Sequence, residues 1–346
     1  MVANKRLTII IPHYNSPDLL EKLFNSIEFN ASTQVIVVDD KSDKYLSEYD
    51  IVKQKYTDRV EFFDNTTDKK GAGVCRNIGL DKAVGQWLLF ADSDDYFCDN
   101  YYNIVSGYFD NTQDMVYFMP TSVSLETGRV AHRHEAYKQL IDKCLGGEKE
   151  VVYSKESGEK STIVEKCSCQ NNKKFKDYCD EMIYTFVTPW GKLIRRQMVL
   201  ENKLRFDETL VANDVMFVTK CAFCAKDIII NDSIIYCVTR MAKTLTTKKD
   251  EAKFDTRSDV FLRRFNYLKD GLGKKQLSRI HLDRIAISHV INALMYGYGF
   301  KKAFSVFRRY SKNGVPFFDL DLCNPVTVIK QAKMYLSWRL EDKRLQ

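Results

Sequence analysis

Trp87-Leu88-Leu89-Phe90-Ala91-Asp92-Ser93-Asp94-Asp95 is the stretch on which the reading of this chain turns. An unbroken apolar run followed by three carboxylates within four residues describes a buried strand that stops at a polar rim. Like charges crowded at a strand end repel one another, so the cluster calls for a cation. Oxygen ligands of this kind suit Mg²⁺ or Mn²⁺, which keep several waters and bridge to a diphosphate. The same residues also read as an acidic turn in which Asp95 caps the next helix.

Outward from this strand, short apolar runs alternate with helical patterns. Leu7-Thr8-Ile9-Ile10-Ile11, Gln34-Val35-Ile36-Val37-Val38 and Val60-Glu61-Phe62-Phe63 read as strands, and Met115 to Met119 as a fifth. Leu19, Leu20, Leu23, Phe24 and Ile27 recur at helical spacing, and a second helix is predicted from about Val74 to Val84. This order predicts the α/β class, a mostly parallel, Rossmann-like sheet covered on both faces with ligands outside the carboxyl ends of its strands. Asp39-Asp40, followed by Lys41-Ser42-Asp43, closes the second strand, so both acidic clusters emerge on one rim. One is placed to accept hydrogen bonds from a nucleoside, the other to hold its phosphates through metal; a plain turn or helix cap also explains an Asp pair. The first strand ends at Pro12-His13-Tyr14-Asn15, whose Tyr14 suits either a base or the core.

A chain of 346 residues has room for about two domains. With 45% hydrophobic and 29% charged residues, 15 Gly and 6 Pro, it is neither collagen-like nor wholly disordered. Ten cysteines without framework spacing, and an N-terminal apolar run cut short at Pro12, predict a reducing cytoplasmic setting. No stretch of about 18 apolar residues is present, so a membrane span is not expected. Residues 257–346 carry 18 Lys and Arg against 7 Asp and Glu, whereas the remainder is acidic by four charges. Such a basic tail suits an anionic membrane surface or a phosphate-bearing acceptor; no nucleic-acid motif accompanies it, and nucleic acid is not expected as a partner.

Residues 120–180 read as a variable insertion, with Gly146-Gly147, the Ser154 to Ser161 stretch and Asn171-Asn172-Lys173-Lys174. Order returns at Pro189, with helices near Leu193 to Glu201 and Asp214 to Ala225 and a strand at Ile228–Ile235. From about 255 onward the pattern is helical, including Ile280 to Met295, Ala303 to Phe307 and Val328 to Leu340. Domain boundaries follow: 1–240, in a half at 1–120 that carries both acidic clusters, the insertion at 120–180 and a further half at 181–240, and then a helical region at 255–346. Cys221 and Cys224 have zinc-like spacing, but no second pair matches it. His132 and His134 read as solvated loop residues, and Cys167 and Cys169 fall in the insertion.

Four ordered motifs together resemble the inverting glycosyltransferases of family 2. They are Ile9 to Asn15, Val35 to Asp43, Gly71-Ala72-Gly73-Val74-Cys75-Arg76-Asn77-Ile78-Gly79-Leu80, and Gly85 to Asp95 with its DxD motif. The resemblance implies the GT-A fold and transfer of a sugar from a nucleotide donor, usually UDP-linked in this family, to a glycan or polyprenol-linked glycan acceptor in surface polysaccharide synthesis. It implies a donor site of Pro12, Tyr14, Asp39, Asp40, Arg76, Asp92 and Ser93, with Asp40 at the nucleobase. Asp94 is implied as principal ligand of Mg²⁺ or Mn²⁺, helped by Asp92.

The family's general base is usually the Asp of an acidic pair opening a helix, and Asn213-Asp214 matches with Asp214 as base and Asn213 in place of Glu. A helix cap is the bland alternative. Thr188-Pro189-Trp190-Gly191-Lys192 resembles the family's Trp-Asn-Lys-Leu-type segment, with Gly191 in place of Asn; an exposed Trp190 offers a sugar an apolar stacking face and Lys192 suits phosphate oxygens of donor or acceptor, and a core Trp with a surface Lys explains the segment as well. Two rival functions remain at this level. A sugar-phosphate nucleotidyltransferase lacks its Gly-rich loop here, where Pro12-His13-Tyr14-Asn15 stands. A non-catalytic membrane- or nucleic-acid-binding protein would use only the tail. Phe300 to Tyr310 alternates aromatic and basic residues at helical spacing, as does Ile329 to Arg339, which suits peripheral contact with the inner membrane surface or packing on the catalytic domain.

Overall fold

A computed structural model describes residues 5–124, 126–128, 130, 135–155, 160–161, 173–240 and 250–317. In chain order these form β1 (Leu7–His13), α1 (Pro17–Asn25), β2 (Thr33–Asp39), α2 (Leu46–Tyr56), β3 (Glu61–Asp64), α3 (Ala72–Lys82), β4 (Trp87–Phe90) and β5 (Tyr96–Phe97). Next come α4 (Tyr101–Ser106), β6 (Met115–Ser124), α5 (Glu135–Leu145), β7 (Glu150–Ser154), β8 (Lys160–Ser161) and α6 (Lys173–Thr185). Then follow β9 (Lys192–Arg195), α7 (Arg196–Glu201), α8 (Val215–Cys224), β10 (Asp227–Arg240), α9 (Glu251–Gly271), α10 (Lys274–Arg279), α11 (Leu282–Met295) and α12 (Gly299–Lys312).

The sheet runs β3-β2-β1-β4-β9-β6-β10-β7-β8, with β5 paired to β10. β3, β2, β1 and β4 are parallel neighbours, the α/β arrangement expected from the alternating pattern. Leu7, Ile9, Ile10, Ile11, Ile36, Val37 and Val38 are fully buried, as strands covered on both faces must be. Each such side chain contributes roughly 1.5–3 kcal/mol of apolar burial. Register places His13 opposite Asp39 and Ile10 opposite Phe90, so the segments that follow β1, β2 and β4 leave the sheet at one edge.

Two expectations need correction. Leu193 to Arg195 is not the start of a helix but lies in strand β9, which enters antiparallel between β4 and β6. Leu193 and Ile194 are fully buried there, and tertiary pairing has overridden their helical spacing. Residues 120–180 are also more ordered than expected: β6 continues to Ser124, α5 buries Leu140, Ile141, Cys144 and Leu145, and β7 extends the sheet from β10. His132, His134, Cys167, Cys169, Asn171, Asn172 and the Val328 to Leu340 helix lie outside the described residues.

The chain divides into two units, 1–123 with 129–239, and 124–128 with 240–346. The second holds α9 to α12, with Phe254, Phe261, Phe265 and Leu268 of α9 buried together with Ala286, Ala293 and Tyr310. Among the described residues, no helix is long and apolar enough to cross a membrane.

Candidate active site

The loops after β1 and β2 are knitted together by short polar side chains. His13 Nδ1 donates to Asp39 Oδ1 at 2.8 Å, and its Nε2 accepts the Ser16 amide at 3.3 Å, which fixes the ring tautomer. The imidazole stacks on Tyr49 with ring centroids 4.4 Å apart. Ser42 supplies Asp39 with an amide and a hydroxyl. Burial alone raises the Asp39 carboxyl, but the His13 and Ser42 hydrogen bonds outweigh it and hold it below the ordinary carboxylate range. Asp40 is buried as well, accepting Asn65 Nδ2 at 2.8 Å and the Gly71 amide at 2.7 Å. Each of its oxygens retains a second lone pair.

Tyr14 projects from this loop and is 43% exposed. The Lys70 ammonium lies 4.1 Å from its ring centroid, and its hydroxyl donates to Asp43 at 3.3 Å. Pro12 is buried in β1 opposite Val38. Ser93 Oγ stands 3.4 Å from Ser16 Oγ, which ties the DxD turn to the start of α1.

After β4 the three carboxylates part company. Asp95 is buried and accepts Tyr236 Oη at 2.9 Å and the Thr239 amide at 2.7 Å, so it anchors the turn to β10. Burial, with Asp92 and Asp94 alongside, raises its carboxyl well above the usual range. Asp92 receives Arg76 Nη2, and its own amide donates to Tyr236 Oη at 2.8 Å. No side chain among the described residues donates to Asp94, whose carboxyl is pushed up to about 6 by burial and by the neighbouring Asp92 charge. The sequence did not expose Tyr236 and Thr239, which lie more than a hundred residues downstream.

Helix α3 joins this rim to the segment before α8. Arg76 is buried, with Nη1 on Asn213 Oδ1 at 2.8 Å, Nη2 on Asp92, and its guanidinium 5.4 Å from the Phe206 ring centroid. Asn77 pins Phe206 through the Phe206 amide at 2.9 Å and its carbonyl at 3.1 Å. Gly73 permits the approach: a Cβ there would lie 2.1 Å from the Asp207 carbonyl oxygen and 2.8 Å from Asn213 Cβ. Gly71 adopts φ +126°, which a side chain would resist, at the turn that offers its amide to Asp40.

Asp214 is half-buried at the entrance to α8 and makes no side-chain cap hydrogen bond. The helix-cap reading therefore does not hold for it. Its carboxyl is raised by burial, against the opposing pull of Arg76 and Lys192. The acceptor segment is corrected more fully. Trp190 is 6% exposed, parallel to the Tyr236 ring at 5.8 Å and edge-on to Phe186, so it presents no open stacking face. Lys192 is fully buried, its ammonium on the Thr188 carbonyl at 2.8 Å and over the Phe186 ring, and burial drives it well below the usual lysine range. Asn213 points at Arg76 and the Thr209 carbonyl.

Among the described residues, no three His, Cys, Asp or Glu side chains converge as a metal cage. Asp94 without a donor, beside a second carboxylate, fits a cation that takes its remaining ligands from water and substrate phosphate.

Fold and rim together define an α/β protein with paired carboxylates at a strand end. Comparison with known proteins gives the family. The profile "Glycosyl transferase family 2" matches residues 8–197, and the chain belongs to that family. A poly(ribitol-phosphate) beta-glucosyltransferase of Bacillus spizizenii is 38% identical over 96 residues, covering 26% of this chain and 15% of the relative. A GalNAc(5)-diNAcBac-PP-undecaprenol beta-1,3-glucosyltransferase of Campylobacter jejuni is 36% identical over 92 residues, 26% of this chain and 30% of the relative. The match thus spans less than a third of either relative. The crystal structure of S. aureus TarS 1–349 in complex with UDP-GlcNAc superimposes with a TM-score of 0.65 at 21% identity, covering 95% of this chain and 88% of that one. The likeness bears out the GT-A fold.

Proposed function

We propose that the chain is a metal-dependent inverting glycosyltransferase that moves a sugar from a UDP-linked donor to a glycan or polyprenol-linked glycan acceptor. The observation that carries this reading is the division of labour among the rim carboxylates. Asp39, Asp40 and Asp95 are engaged on both oxygens by protein donors. Among the described residues Asp94 and Asp214 have no side-chain donor, and both are raised by burial. A carboxylate held in that state is suited to take a cation in one case and a proton in the other.

Tyr14 and Lys70 flank the nucleoside end, and Asp40 offers its remaining lone pairs there. Asp94, with Asp92, would hold Mg²⁺ or Mn²⁺, which when bound neutralises charge on the departing diphosphate. Asp214 removes the proton from the acceptor hydroxyl as its oxygen attacks the anomeric carbon. Attack from the face opposite the diphosphate inverts the configuration. Arg76 keeps the two carboxylate-bearing segments in register through Asp92 and Asn213. The two relatives named above are β-glucosyltransferases acting on a phosphate polymer and on an undecaprenol-linked glycan, which supports an acceptor of that kind.

The test is a thermal-shift panel of UDP, GDP, CMP and dTDP with and without Mn²⁺, since a ligand bound only to the folded state raises apparent stability. A Mn²⁺-dependent shift with UDP is expected, abolished in Asp94→Ala and retained in Asp214→Asn. No shift with any nucleotide, or equal loss in both variants, overturns the assignment.

A further inference from the structure

Helix α12 carries four distinct faces. At about 100° per residue, Ala303, Val306 and Tyr310 fall on one side and are buried in the helical unit. Lys302 and Arg309 fall opposite the exposed aromatic face and pair with Glu251, Asp255 and Asp259 of α9. Phe300, Phe304 and Phe307 form a ridge roughly a quarter-turn from the buried side, and they are 83%, 64% and 39% exposed. Three phenylalanines this open on a fourteen-residue helix are not explained by the helix's own packing, which the other side already satisfies.

Beside the ridge, centred roughly 90° around the helix, stand Lys301, Arg308 and Lys312. None of the three has an ion-pair partner among the described residues, in contrast to Lys302 and Arg309. Together with Ser305 and the paired Arg309, Lys301, Phe304, Arg308 and Lys312 border an open surface depression of ≈ 450 Å³. A continuous apolar ridge flanked by unpaired cations matches a surface that is apolar beneath and anionic on top. A second copy of this face would bring like charges together, whereas a bilayer bearing anionic headgroups satisfies both halves.

We propose that α12 seats this protein on an anionic lipid bilayer, with the Phe300, Phe304 and Phe307 side chains in the acyl boundary and Lys301, Arg308 and Lys312 on lipid phosphates. The proposal is independent of the transferase reading, because its test requires neither donor nor metal. The full chain is sedimented with vesicles of phosphatidylcholine alone and of phosphatidylcholine mixed with phosphatidylglycerol. Binding is expected to the mixed vesicles only and to weaken as salt is raised. Charge reversal in Lys301→Glu, Arg308→Glu and Lys312→Glu together is expected to weaken partitioning by at least about a hundredfold.

Phe300→Ser, Phe304→Ser and Phe307→Ser together should lower binding comparably, with unchanged far-ultraviolet circular dichroism because Phe300 and Phe304 face outward and the ring contacts of Phe307 among the described residues are with Phe317, beyond the helix end, and its neighbour Phe304. As a readout that does not depend on losing anything, Phe304→Trp should shift its fluorescence to the blue on addition of mixed vesicles. Absence of binding, equal binding to neutral vesicles, or no fluorescence shift overturns the proposal. So does an oligomer that dissociates when the three phenylalanines are replaced, which would assign the ridge to a second copy.

Discussion

Gly73→Ala tests the claim that α3 is packed directly against the segment carrying Asn213 and Asp214. In an exposed helix this change is favourable by up to about 1 kcal/mol, because alanine loses less backbone freedom than glycine. Here the new Cβ would stand 2.1 Å from the Asp207 carbonyl oxygen, where ordinary contacts begin near 3.4 Å, so helix and segment must separate by about 1.3 Å. The obstacle is backbone, which cannot swing aside as a long side chain would. Overpacking of this sort costs roughly 1–3 kcal/mol, enough to cancel the propensity gain and leave a net loss of about 1–2 kcal/mol. For a unit of this size that lowers Tm by roughly 2–6 °C. The effect on turnover should be larger, since a displacement near 1 Å in a reacting group can cost about a hundredfold. Differential scanning fluorimetry gives the first quantity, and UDP release in the presence of acceptor gives the second. UDP binding should change far less than turnover. A variant with raised Tm and normal turnover would refute the close approach and, with it, the role given to α3.

Asp214→Asn should reduce UDP release at least about a hundredfold while KM for donor stays near wild type, as expected for loss of a general base. Arg76→Ala removes the partner of both Asp92 and Asn213; because the Asp92 side chain is 33% exposed, the cost should be about 2 kcal/mol in urea denaturation rather than that of a fully buried pair. Lys192→Met removes a charge that pulls the Asp214 carboxyl down, so the acid limb of the kcat profile should move to higher pH, and an unmoved limb would separate the two residues. In the helical unit, burial beside Arg257 pushes the His289 imidazole from 6.5 down to about 4. The folded state then refuses a proton that the unfolded chain accepts, so stability is complete above about pH 6.5 and falls by up to about 3 kcal/mol as the pH drops to 4; His289→Gln should flatten that dependence in urea titrations.

The parallel strands were legible because each is a short, β-branched, fully buried run, and such runs leave a signal that does not depend on distant partners. Leu193-Ile194 carried no such signal: a two-residue buried pair between Gly191 and Arg195 fits a helix start equally well, and only pairing with Leu88 and Val116 makes it a strand. The rim carboxylates were legible as a group, but their separate parts were not. Asp92, Asp94 and Asp95 look alike in sequence, and what separates them comes from Arg76, Tyr236 and Thr239, two of which arrive on β10. Trp190 and Lys192 misled for a related reason. Their residue types suit a sugar and a phosphate, yet Phe186, Tyr117 and Tyr236 close around them and turn both inward.

The burial of Lys192 gives a physical reason for the form of the base segment. A lysine enclosed by rings and one carbonyl has few groups to stabilise its charge, and such a group is costly to keep unless a nearby carboxylate shares the enclosure. Asp214 is that carboxylate: each of the two is shifted by burial in the direction that disfavours its charge, and each draws the other back. Arg76 adds a positive charge nearby while remaining fixed to Asp92. The carboxylate proposed to activate the acceptor is therefore tuned by two basic side chains that do not themselves reach solvent, one of them tied to the rim where the diphosphate is proposed to bind. On the proposed reading, a donor diphosphate held at this rim would compete with Arg76 for Asp92 and leave Arg76 to Asn213 and the neighbouring Asp214. Donor binding should thus lower the acid limb of the turnover profile, and an Arg76→Lys variant, which cannot bridge Asp92 and Asn213 as a fork, should lose that coupling before it loses donor affinity.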